Sequence, residues 1–83
     1  MFKTKTEDGK NNICGQKVYE LRKNSKPKMS QRMLAERLQL EGMDVDKNAV
    51  QRIESGQRFV TDIEILILCK IFNVSCDELL SKQ

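Results

Sequence analysis

The chain has 83 residues, of which 39% are apolar and 33% charged, with one Pro, four Gly and a net charge of +3. That is one small globular domain rather than a disordered or fibrous chain. It lacks His, which excludes Ser/His and Cys/His nucleophile pairs, an imidazole base and His-containing zinc sites.

Residues 1–10 are polar, contain Gly9 and show no periodicity, and are expected to form a flexible tail ahead of a domain over 11–83. They have no apolar core of the kind a secretory signal needs. The first helix is expected over residues 12–24, with Cys14, Val18 and Leu21 inward. Pro27 ends it, since the residue before proline avoids helical angles.

A second helix starts after Ser30, an N-cap residue, and carries Leu34, Ala35 and Leu38 on one face, with Gly42 as a left-handed terminator. A third spans 46–55, from Asp46 to the stop at Gly56, with Val50 and Ile53 inward. The fourth opens with the capping-box pair Thr61 and Glu64 and runs through Ile65, Leu68, Cys69 and Phe72 to Asn73. Ser75 and Glu78 repeat the box for a fifth, followed by Leu79 and Leu80. The fold class expected is therefore all-α, a compact five-helix domain.

The longest apolar run, Ile65 to Cys69, falls far short of the ~20 residues of a membrane helix. The three cysteines Cys14, Cys69 and Cys76 form no CxxC element, so no metal site and no cofactor are expected. Their odd number fits a reducing cytoplasm. No side chain presents itself as catalytic, and so short a chain has little room to wall off a pocket.

Charge is unevenly spread. Residues 17–37 hold seven Lys and Arg against two Glu, whereas residues 61–83 hold two Lys against four acids. A basic end of this kind suits a polyanion.

The segments SQRMLAERL (30–38) and DKNAVQRIESG (46–56), with LRK (21–23) before them and NVSCDELL (73–80) after, together resemble the phage-repressor and Cro-like (Xre-type) helix-turn-helix family. The resemblance covers residues 14–80. It implies sequence-specific binding of double-stranded DNA by a transcriptional regulator, a repressor before an activator, with the third helix in the major groove. Two links depart from the family by being longer than usual: 25–29, before the second helix, and 38–46, before the third. The extra residues are expected to lengthen the second helix or re-aim the third.

At about 100° per residue, Lys47, Asn48, Gln51 and Arg52 share an outer arc of the third helix of about 140°, away from Val50 and Ile53. All four donate hydrogen bonds, and Asn48 and Arg52 can do so in bidentate fashion to adenine and guanine edges. They are the base-reading candidates. Around the start of the second helix, Lys28, Ser30, Gln31 and Arg32 are phosphate candidates, because unsatisfied amides and cationic side chains meet there. The resemblance places a phosphate contact at Gln31 and adds Gln57 and Arg58 after the third helix. It also implies that Glu54 pairs with Arg22 as a structural brace.

A surplus of apolar residues on the fourth helix suggests a homodimer. Ile63, Ile67 and Ile71 form a second stripe, which Cys76 and Leu80 extend. The rival reading keeps the fold as an interaction module, antitoxin-like, whose partner is an antagonist or toxin protein. Basic and bidentate donors at 47, 48 and 52 favour DNA.

Overall fold

The structure, a computed structural model, describes residues 9–81. The expected tail thus lies outside the described residues except for Gly9 and Lys10. Five helices follow one another: α1 Gly15–Lys23, α2 Gln31–Leu40, α3 Lys47–Glu54, α4 Asp62–Phe72 and α5 Cys76–Leu80. No strand occurs among the described residues, and the fold is all-α.

Four of the five starts are capped by the side chains that local chemistry favours. Ser30 Oγ accepts from the Met33 amide at 3.1 Å and Asp46 Oδ1 from the Ala49 amide at 2.8 Å. Thr61 and Glu64 close a full capping box, and Ser75 Oγ accepts from the Glu78 amide at 3.1 Å. Each bond satisfies an amide that the helix leaves without a partner.

α1 is the exception. It begins at Gly15, not at residue 12, because Asn12 turns its side chain forward and Oδ1 accepts from the Gly15 amide at 2.9 Å. Asn12 therefore acts as a cap from outside the helix.

α2, α3 and α4 end alike. The Met43 amide reaches back to the Leu38 carbonyl, Gln57 to Arg52 and Val74 to Cys69, at 3.0, 2.8 and 3.0 Å. This closure needs one residue in the left-handed region, supplied by Gly42 (φ 95°), Gly56 (φ 84°) and Asn73 (φ 55°).

The core is built from all five helices. Cys14, Val18, Leu34, Leu38, Val50, Leu68 and Leu79 are fully buried, with Ile53 nearly so. The longer link before α3 contributes to it: α2 runs two residues past Leu38, and Met43 and Val45 then tuck into the core. Gln39 Nε2 holds the link by donating to the Val45 carbonyl at 2.6 Å. On α4 only Leu68 and Cys69 are buried, whereas Ile65, Ile67, Ile71 and Phe72 are half-buried against the core.

Candidate nucleic-acid interface

α3 packs its inner face, Ala49, Val50 and Ile53, into the core. Lys47, Asn48, Gln51 and Arg52 are all exposed. Their side chains make no hydrogen bond or ion pair with other described residues, so their donors face outward uncommitted.

The N-terminal ends of α2 and α3 converge with the end of α1 on an open cleft of about 740 Å³. Lys23, Lys28, Ser30, Gln31, Arg32 and Lys47 line it, with Arg22 at its floor. Lys47 therefore belongs to two surfaces at once, the outer face of α3 and the rim of the cleft. No carboxylate lines this cleft, which concentrates positive potential where α2 presents its first-turn amides.

Arg22 and Glu54 meet beneath the cleft. Arg22 Nε donates to Glu54 Oε2 at 2.6 Å and Nη2 to Oε1 at 2.9 Å, while Nη1 donates to the Met29 carbonyl at 3.1 Å. The side chains are only 8% and 5% exposed. The hydrogen bonds that Arg22 donates to Glu54 raise its pKa further above its ordinary value against the opposing effect of burial, so the guanidinium is permanently charged. Gln31 Nε2 also donates to Glu54 Oε1, at 3.0 Å. One carboxylate on α3 thus ties α1 and the start of α2 to the helix whose outer face carries the candidate donors. The Tyr19 ring lies 5.5 Å from the Arg22 guanidinium and 5.7 Å from Lys23 Nζ, in cation–π range.

The other phosphate candidates divide by their surroundings. Lys28, Ser30, Arg32 and Gln57 are exposed. Arg58 is half-buried, its Nη1 and Nη2 each donating to a Glu64 carboxylate oxygen at 3.1 Å and Nη1 also to the Phe59 carbonyl at 3.2 Å. Burial pushes the Glu64 carboxyl up, but the hydrogen bonds from Arg58 and Thr61 outweigh it and hold the pKa below its usual value.

Asn11 and Asn12, which the sequence did not single out, fasten the loop after α3. The Asn11 amide donates to the Gly56 carbonyl at 2.7 Å and its Nδ2 to the Gln57 carbonyl at 2.8 Å. Asn12 Nδ2 donates to the carbonyls of Ile53 and Arg58 at 3.1 and 2.7 Å. Gly15 allows this approach, since a Cβ there would collide with the Ile53 carbonyl oxygen and come within 2.9 Å of that of Glu54. Only an Asn pair followed closely by a Gly was available as a signal, and nothing local distinguishes it from a turn.

Of the dimer candidates, Ile63 is exposed, at 68%. Ile67, Ile71, Cys76 and Leu80 are half-buried against the core. Leu66 (62% exposed) and Phe59 (55%), absent from the expected set, are the large apolar neighbours in sequence that Ile63 has on the surface.

A family model described as helix-turn-helix matches residues 18–79, from the middle of α1 to the end of α5. The chain belongs to the phage-repressor-like helix-turn-helix family. Membership makes it a DNA-binding protein of the transcription-regulator type, in a family of DNA binders rather than enzymes. α2 and α3 are its two helix-turn-helix elements. No curated protein and no solved structure matches it. Among the described residues no helix is long and apolar enough to cross a membrane.

Proposed function

We propose that this helix-turn-helix protein binds a specific double-stranded DNA sequence with α3 in the major groove and acts there as a repressor by excluding other proteins from the site it covers. The observation that carries this reading is the continuity of two surfaces through Lys47. The exposed donor face of α3 runs directly into the acid-free basic cleft at the start of α2. Lys47, Asn48, Gln51 and Arg52 read base edges. Lys28, Ser30, Gln31, Arg32, Gln57 and Arg58 hold the phosphates on either side; Gln31 and Arg58 use the donors that their bonds to Glu54 and Glu64 leave over. Arg22 and Glu54 brace α3 from beneath. The domain, 11–83, works as a homodimer.

Selection from a random DNA library tests the proposal. Enrichment of one motif, followed by binding that weakens steeply with salt, supports it. A library that yields no motif, with binding indifferent to salt, rejects it.

A second reading, docking of an antagonist or toxin protein on the same fold, draws on a separate feature. A groove of about 360 Å³ between residues 25–29 and α2 is lined by Pro27, Met29, Met33 and Leu40. Met33 and Leu40 are 44% and 86% exposed. Such a partner would leave the α3 face open, so the DNA selection succeeds whether or not the groove is used.

A further inference from the structure

Three thiols remain outside the DNA interface, and they are not equivalent. Cys14 is fully buried before α1, and burial pushes its thiol to about 11. Cys69 lies in the last turn of α4 at 8% exposure, whereas Cys76, the first residue of α5, is half-exposed. The turn Asn73–Val74–Ser75 folds α5 back so that Cys76 Sγ and Cys69 Sγ stand 3.4 Å apart. All three cysteines are thiols in this structure.

We propose that Cys69 and Cys76 are a thiol–disulfide pair, oxidised by hydrogen peroxide to a bond that locks α5 onto α4. A disulfide holds its sulfurs about 2.0 Å apart, so the pair has to close by about 1.4 Å, within reach of side-chain rotation at the partly exposed Cys76. Neither residue has another covalent or hydrogen-bonding partner to give up among the described side chains. The two are joined by a short turn, so the reaction is intramolecular.

The order of events follows from access. Cys76 meets solvent and reacts first: its thiolate attacks one peroxide oxygen, the O–O bond breaks, and the departing hydroxide takes up a proton to become water. Cys76 is left as a sulfenic acid. Burial pushes the Cys69 thiol to about 11, so it stays protonated and unreactive toward peroxide, and its role is to resolve. Its sulfur attacks Cys76 Sγ as it loses its proton. The S–O bond breaks, and the hydroxyl leaves with that proton as water. Two thiols lose two electrons in all, and one peroxide becomes two waters. A dithiol reverses the bond by exchange.

The reaction has a structural consequence. α5 is only five residues long and supplies Leu79, a fully buried core side chain, from near the end of the described chain. An element as short as this is expected to open before the longer helices. The bond removes that opening.

The test uses the full chain treated with hydrogen peroxide, then alkylated under denaturing conditions. The expected result is a mass loss of two hydrogens, one remaining alkylated thiol at Cys14, and a cross-linked peptide joining Cys69 to Cys76. The thermal midpoint rises by roughly 5–15 °C, and dithiothreitol reverses both changes. Cys76→Ser forms no internal bond and shows no peroxide-dependent rise. Three alkylated thiols after treatment, a cross-link involving Cys14, over-oxidation of Cys76 without a bond, or covalent dimers on a non-reducing gel would each overturn the proposal. The wild-type peptide map decides the pairing even if the variant fails to fold.

Discussion

Glu54 is the point at which three helices are tied together. Arg22 and Gln31 donate to it from two other helices, and the pair it makes with Arg22 is almost wholly out of water. Such a pair adds little net stability relative to apolar residues, yet removing one partner strands the other charge. Arg22→Met is expected to lower stability by about 3–5 kcal/mol, which a urea titration reads directly. That is a large part of what so small a domain has. The residues proposed to read bases should behave differently. Arg52→Ala leaves an exposed position and should keep the fold, while relaxing discrimination at one base pair by about 1–3 kcal/mol in competition binding. Gln31→Ala should weaken all sequences alike. If Arg52→Ala does so instead, the two roles have been assigned the wrong way round. The sequence could suggest the Arg22–Glu54 pair only through family resemblance, because thirty-two positions separate the partners and neither is unusual locally. The third donor, Gln31, stood out in the sequence only as a phosphate candidate and not as a partner of Glu54.

At the scale of the helices, what was legible is what short-range chemistry decides. Ser30, Asp46, Thr61 and Ser75 cap the helices they precede, and Gly42 and Gly56 end α2 and α3, because these interactions span three to five residues. The start of α1 was misplaced for the complementary reason. Asn12 bonds to Ile53 and Arg58, more than forty positions away, and those contacts hold it out of helical conformation while its Oδ1 caps Gly15. Asn12→Asp separates its two tasks: the carboxylate still accepts from Gly15 but can no longer donate to the two carbonyls. The expected outcome is near-normal helicity by circular dichroism with a loosened 55–58 loop, seen as faster amide exchange there. Unchanged exchange would mean that Asn11 alone suffices. The same loop is held from its other side by Arg58 and Glu64. The Glu64 pKa is lowered on folding, so its contribution is present above the unfolded value of about 4.3 and is lost as pH falls through the folded value. Stability measured from pH 6 downward should therefore fall less steeply in Glu64→Gln than in the parent.

For the whole molecule, electrostatics and apolar surface lie on different parts of the chain. If the basic cleft engages the DNA backbone as proposed, each neutralised phosphate should add about 0.9 to the slope of log affinity against log salt. Lys28→Ala should accordingly flatten that slope by about 0.9 per protomer, with no change in the selected motif. Besides the groove beside α2, exposed apolar side chains lie on the outer side of α4, and here the sequence reading was coarse. Periodicity separated a second isoleucine stripe from the core stripe, but it could not show that Ile67 and Ile71 pack partly against the core. What stays uncovered is Ile63 and Leu66, one turn apart on α4, with Phe59 in the loop just before. Large apolar side chains grouped on a small domain favour association. A two-fold pairing through this face would set two copies of α3 about 34 Å apart and require a palindromic site. Ile63→Asp combined with Leu66→Lys changes only exposed positions, so the variant should fold normally, sediment as a monomer and bind a palindrome more weakly than the parent, while retaining its affinity for a half-site. Ile67→Asp with Ile71→Lys should instead lose the fold, because those side chains are half-buried against the core. A folded Ile63/Leu66 variant that keeps the parent's mass and full palindrome affinity would move the interface away from α4.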